Sequence, residues 1–179
     1  MLNLSPIRTK LDEAQSAFLR AADGIAAEKW TEKTSAEEWC AAEIAAHLIM
    51  VERAIIRTAD HIIQKTPRLF PLWRRVHLPI WLVEARLIRR KSPIELDTAL
   101  FGKKEEMLGE LRLTRERAFA FLAETQKRDL SAYRWKHVFL GPLNVYEWFE
   151  MIAAHQLRHT KQMKEIAGRL PKVVESSQI

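Results

Sequence analysis

Between Leu143 and Leu170 the apolar residues recur three and four positions apart, the spacing of a long amphipathic helix. The stripe runs Val145, Trp148, Ile152, His155, His159, Gln162 and Ile166. Its start is well signalled. Gly141 and Pro142 break whatever precedes it, Asn144 can cap, and Glu147 stands three residues on. Leu143 and Trp148 are spaced to clasp across that cap. The middle members of this core-facing seam are two histidines and a glutamine, and polar groups on a buried seam are costly unless partnered. A metal ion is the economical partner, because histidines at i and i+4 sit one above the other on a helix face.

The same three-four spacing recurs upstream. Leu4, Ile7, Leu11, Ala14, Phe18, Ala21 and Ile25 predict a first helix from Ser5 to Lys29. Trp30 to Trp39 reads as a connection. Ile44, Leu48, Val51, Ile55 and Ile62 predict a second helix from Ala41 to Gln64, with a weak cap at Cys40 and Glu43 closing the box. Leu100, Met107, Leu108, Leu111, Thr114, Ala118, Phe121 and Leu122 predict a third, from Asp97 to Lys127. Leu130 to Gly141 reads as a loop. Thr66 to Pro93 holds Pro67, Pro71, Pro79 and Pro93, too broken for one helix and too apolar for a solvated linker. It reads as a long crossover between two bundle helices that run the same way, with a short helix at Ile80 to Arg90. The expectation is an all-α, four-helix bundle, one domain over residues 1–170 with a frayed tail at 171–179.

Charge is local. The chain carries a net charge of +6, yet Lys65 to Lys91 alone holds Lys65, Arg68, Arg74, Arg75, Arg86, Arg89, Arg90 and Lys91 against a single acid, Glu84. The remainder is near neutral, so the basicity is no nucleic-acid signature of the whole domain, and no nucleic-acid partner is expected. One cysteine, Cys40, excludes an internal disulfide and fits a reducing compartment. Met1 to Lys10 lacks the apolar core of a signal peptide, and no apolar run approaches the ~18 residues of a membrane span. These features suggest a soluble, cytoplasmic protein. An apolar flank would support a homodimer.

The candidate site is His47, at the core-facing edge of the second helix, with His155 and His159. Three imidazoles with open positions suit catalysis better than a closed structural site. The set fits zinc, nickel, iron or copper alike, and its alternative is a cluster of buried histidines satisfied by hydrogen bonds. HQLRH is not the HExxH of zinc proteases, because Gln156 stands where that motif has its base. Glu43, Glu52 and Glu150 are candidate partners that would fix a histidine tautomer. Gln162 is placed to bond a ligand or water, and His137 to line the pocket mouth. Trp39, Trp135 and Trp148 are candidate pocket walls. Arg158 lies off the seam and reads as a surface or intrahelical ion-pair partner.

His47 lies within Trp39-Cys40-Ala41-Ala42-Glu43-Ile44-Ala45-Ala46-His47-Leu48. His155-x-x-x-His159-x-x-Gln162 follows late in the chain, preceded by His137-x-x-x-Gly141-Pro142-Leu143. Together these residues resemble the DinB/YfiT-like superfamily of metal-dependent enzymes, over nearly the whole chain. The resemblance implies a bundle in up-down-down-up order and a divalent metal, commonly zinc or nickel, on His47, His155 and His159. Members with a function are often thiol transferases, or isomerases using a thiol cofactor. The chain departs from the family pattern at Cys40, usually Ser or Thr, and at Val138, usually Pro. The expected activity is transfer of a low-molecular-weight thiol. Metal-dependent hydrolysis is the enzymatic alternative. A non-enzymatic bundle docking an anionic partner through residues 65–91, with Phe70, Trp73 and Trp81 as anchors, is the other.

Overall fold

The computed structural model describes residues 3–67, 71, 76–85 and 101–170. The chain is mostly helical: α1 (Ser5–Asp23), α2 (Ala41–Ile63), a short α3 (Trp81–Glu84), α4 (Lys104–Thr125) and α5 (Val145–Arg169), with one two-stranded sheet. α2, α4 and α5 each start where a glutamate three residues past the cap turns back to it. Glu43 Oε2 accepts from the Cys40 N–H at 2.8 Å, and Glu106 Oε2 accepts from the Lys103 N–H at 3.2 Å. At α5 the box is complete: the Glu147 N–H donates to Asn144 Oδ1 at 3.0 Å, and the Asn144 N–H to Glu147 Oε2 at 2.7 Å.

Three boundaries differ from the sequence expectation. The first helix stops at Gly24 rather than Lys29. The chain then makes a 3-10 turn over Ala27–Lys29 that tucks Trp30 into the core, where Nε1 meets Met107 Sδ at 3.2 Å. Ile25 stays buried, so the apolar stripe outlasts the helix. The third long helix begins at Lys104; residues 101–103 are not helical, and Asp97 and Leu100 lie outside the described residues. The expected loop is instead a hairpin. β1 (Arg134–His137) pairs antiparallel with β2 (Gly141–Asn144), with Arg134 opposite Asn144 and His137 opposite Gly141. Gly141 has a φ of 98°, which favours a residue without Cβ.

The core forms two adjoining layers. One gathers Phe18, Trp30, Ile44, Met107, Leu111 and Met163; the other gathers Leu11, Ile55, Phe121, Leu122, Phe149 and Ile152. Ala41, Ala42, Ala45 and Ala46 are fully buried, and these small side chains let other elements approach α2 closely. α1 and α5 meet at Lys10–Glu150 (2.7 Å) and where Gly24 faces Ala167. α2 and α4 meet at Arg53–Glu110, and Arg128, just past the end of α4, donates to the Ile63 carbonyl at the end of α2 at 2.9 Å. Residues 76–85 of the crossover lie against the hairpin and α5. The Leu78 N–H donates to the Leu140 carbonyl at 2.8 Å, and Arg158 donates to the Val83 carbonyl at 3.2 Å. That bond runs between elements rather than within α5. The short helix expected at Ile80 to Arg90 spans Trp81–Glu84, and residues 86–90 lie outside the described residues. So do Phe70, Trp73, all six arginines of residues 65–91 and the tail, whereas Trp81 is 61% exposed. Among the described residues no helix is long and apolar enough to cross a membrane.

Candidate metal centre

α2 and α5 carry His47, His155 and His159 to one point. His155 Nε2 lies 3.2 Å from His47 Nε2 and 3.1 Å from His159 Nε2, and a ligand atom of each residue lies within 4.8 Å of the others. Nitrogens ~2.1 Å from a shared ion stand about 3.0 Å apart at right angles and about 3.4 Å apart at tetrahedral angles. The two spacings fall between these values, so the residues fit a single ion. His159 Nδ1 lies 3.0 Å from Gln162 Oε1, an acceptor that favours the His159 proton on Nδ1 and turns the Nε2 lone pair toward the other two rings.

The electrostatics favour neutral, ligating imidazoles. Burial pushes the His47 pKa down to about 4. His155 is held well below the usual histidine range, first by burial, then by the fields of His159, His47, Arg158 and His137. His47 and His159 are buried, while His155 is half-buried and forms the accessible edge of the triad.

Other candidate residues divide into two groups. Trp39 walls the site: its ring centroid is 5.0 Å from that of His47 and stacks on His159 at 6.2 Å. Gln162, three residues on from His159 in α5, lies within hydrogen-bond distance of its ring. His137 lies in the hairpin, its ring 5.2 Å from Trp148, which stands on the same stripe of α5 as His155. The acids go elsewhere. Glu43 closes the α2 cap and pairs with Lys33 at 2.9 Å, and Glu150 pairs with Lys10. Glu52 is buried on Arg115, so its carboxylate orients no histidine.

Arg115 was missed in the sequence reading. It is 1% exposed and joins all four long helices. It pairs with Glu52 of α2, donates to Gln156 Oε1 of α5 at 2.8 Å, and donates to the Leu11 carbonyl of α1. A signal existed. Arg115 falls between Leu111 and Ala118, and Glu52 between Leu48 and Ile55, both at core spacing. Opposite charges at two core positions on different helices mark a buried pair.

With this geometry established, the chain is assigned to the DinB superfamily, whose family model matches residues 10–163. It is similar to the uncharacterized protein YuaE of Bacillus subtilis (strain 168), with 29% identity over 160 residues, 89% of this chain and 96% of that protein. No solved structure gives a significant match.

Proposed function

We propose that His47, His155 and His159 hold a divalent ion, zinc or nickel, and that the protein is a thiol transferase acting on a small-molecule electrophile. The carrying observation is a donor set of three converging imidazoles, with Glu43 and Glu52 engaged elsewhere. A divalent ion held by these residues would supply the positive charge that acidifies a thiol. The chain's own residues do the rest. Gln162 holds the His159 ring so that Nε2 faces the site. Trp39 packs its ring against those of His47 and His159 and walls that side of the site. His155 leaves an accessible edge for the thiol and the electrophile. Hydrolysis is the weaker reading because Glu52, Glu43 and Glu150, the three candidate bases, are each paired with a cation.

The same proposal covers the frame. Residues 1–170 form one domain in up-down-down-up order, with the long crossover between α2 and α4, working in the cytoplasm. Supporting the order, early residues of α1 meet early residues of α5, and late meet late (Lys10 with Glu150, Gly24 with Ala167); the middle of α2 meets α4 through Arg53 and Glu110, and its end meets Arg128, just past α4.

The test is elemental analysis of untagged protein beside a His47→Ala/His155→Ala/His159→Ala variant. Near-stoichiometric zinc or nickel, absent from the variant, is expected. If no metal binds even with zinc or nickel in excess, the triad is a set of buried histidines and the proposal fails. A screen of thiols against electrophiles on the loaded protein then tests the transfer step.

A further inference from the structure

His137 ends β1 and is locked by the turn it helps to make. Its Nδ1 accepts the N–H groups of Phe139 and Leu140, both at 3.1 Å. Two donors on Nδ1 leave the proton of the neutral ring on Nε2. That Nε2–H has no hydrogen-bond partner among the described residues, although the ring is half-buried against Trp148 (5.2 Å) and Phe139 (6.0 Å). Trp148 is fixed in turn: it stacks on Trp135 at 4.7 Å and donates from Nε1 to the Trp135 carbonyl at 3.3 Å. From Trp148 to His155 is seven residues along one face of α5, about 10 Å of rise. A rigid, unspent donor therefore stands beside Trp148, on the face of α5 that carries His155 two turns further on.

The geometry points to His137 as a second anchor for the ligand of the triad site. Its Nε2–H donates to a carboxylate or carbonyl oxygen on a molecule whose other end sits at His47, His155 and His159. This inference rests on the metal reading above and narrows it. The favoured ligand has a metal-seeking group at one end and a hydrogen-bond acceptor a few bonds away.

Cobalt(II)-loaded protein provides the test, because thiolate binding to cobalt is visible by absorption without turnover. The probes are mercaptoacetate, 3-mercaptopropionate and 4-mercaptobutyrate, each against the alkanethiol of equal carbon count. At least one mercaptocarboxylate is expected to bind about ten-fold more tightly than its alkanethiol, the scale of a hydrogen bond to a charged group. In His137→Asn, whose side-chain oxygen can still accept the turn amides, that preference falls to near one with cobalt stoichiometry unchanged. His137→Phe gives the same result. A preference that survives both variants, or is absent from the parent, overturns the assignment. Loss of cobalt uptake in His137→Asn with an unaltered helical spectrum also overturns it, since His137 would then serve the triad rather than its ligand. A parent protein that takes up no cobalt defeats the metal reading along with it.

Discussion

Arg115 grips Glu52 through two parallel bonds, Nε to Oε1 at 2.7 Å and a terminal nitrogen to Oε2 at 3.0 Å, with both side chains buried. Glu52 follows His47 by five positions on α2, and Gln156, the third member, follows His155 directly on α5. The helices that supply the triad are thus tied together beside it.

Breaking that tie on one side leaves a buried charge without its partner. Arg115→Met is expected to destabilise by about 3–5 kcal/mol, and Glu52→Leu by a similar amount. The double variant should recover much of the loss, since two apolar groups replace two paired charges. Urea unfolding of the four proteins checks this. Strictly additive losses would mean that the pair does not act as a unit.

Gln162→Leu removes the acceptor that orients His159. Metal affinity is expected to fall about 10–100-fold while the melting temperature of the metal-free protein changes little. Gln162→Glu restores an acceptor and should recover the affinity. Competition with a chromophoric chelator reads both. Equal affinities for wild type and Gln162→Leu would remove Gln162 from the site.

Burial of the triad makes the metal-free protein acid-sensitive in a definite window. His47 titrates at about 4 when folded, and His155 is lowered too, whereas an unfolded histidine titrates near 6.5. Between those values the unfolded chain binds more protons, so stability falls as pH falls through the window and gains nothing from these groups above it. Urea midpoints in chelator should show this slope from about pH 6.5 to 4. The slope should shrink in His47→Phe/His155→Leu. An undiminished slope in that variant would place the sensitivity elsewhere.

Trp39 sits close enough to report occupancy, its ring 5.0 Å from His47 and 6.2 Å from His159. Nickel or copper added to metal-free protein should quench tryptophan emission. Trp39→Phe should show a smaller drop at the same metal stoichiometry. An equal drop would mean that the ion binds away from this wall.

Much of this was legible in advance, for local reasons. The α5 cap is written in Asn144 and Glu147, and the triad in an i,i+4 pair on a core stripe, so both follow from helix geometry. The hairpin was not legible. Its strands are four residues each and the second contains Pro142, which weakens any strand signal. The end of α1 was hidden because Ile25 keeps the apolar rhythm after Gly24 has ended the helix. Arg115 and Glu52 read as solvated charges individually. Only their positions on two facing helices reveal a pair, and that is tertiary information.

His47 and its α5 partner His155 lie 108 positions apart in the chain. An ion held by both is a reversible cross-link closing one of the longest loops this protein can form, and an unfolded chain offers no such grip. Occupancy and folding are then two readings of one equilibrium. At a free ion concentration of 100 times Kd the folded state gains about 2.7 kcal/mol, so the unfolding midpoint becomes a gauge of the surrounding metal supply.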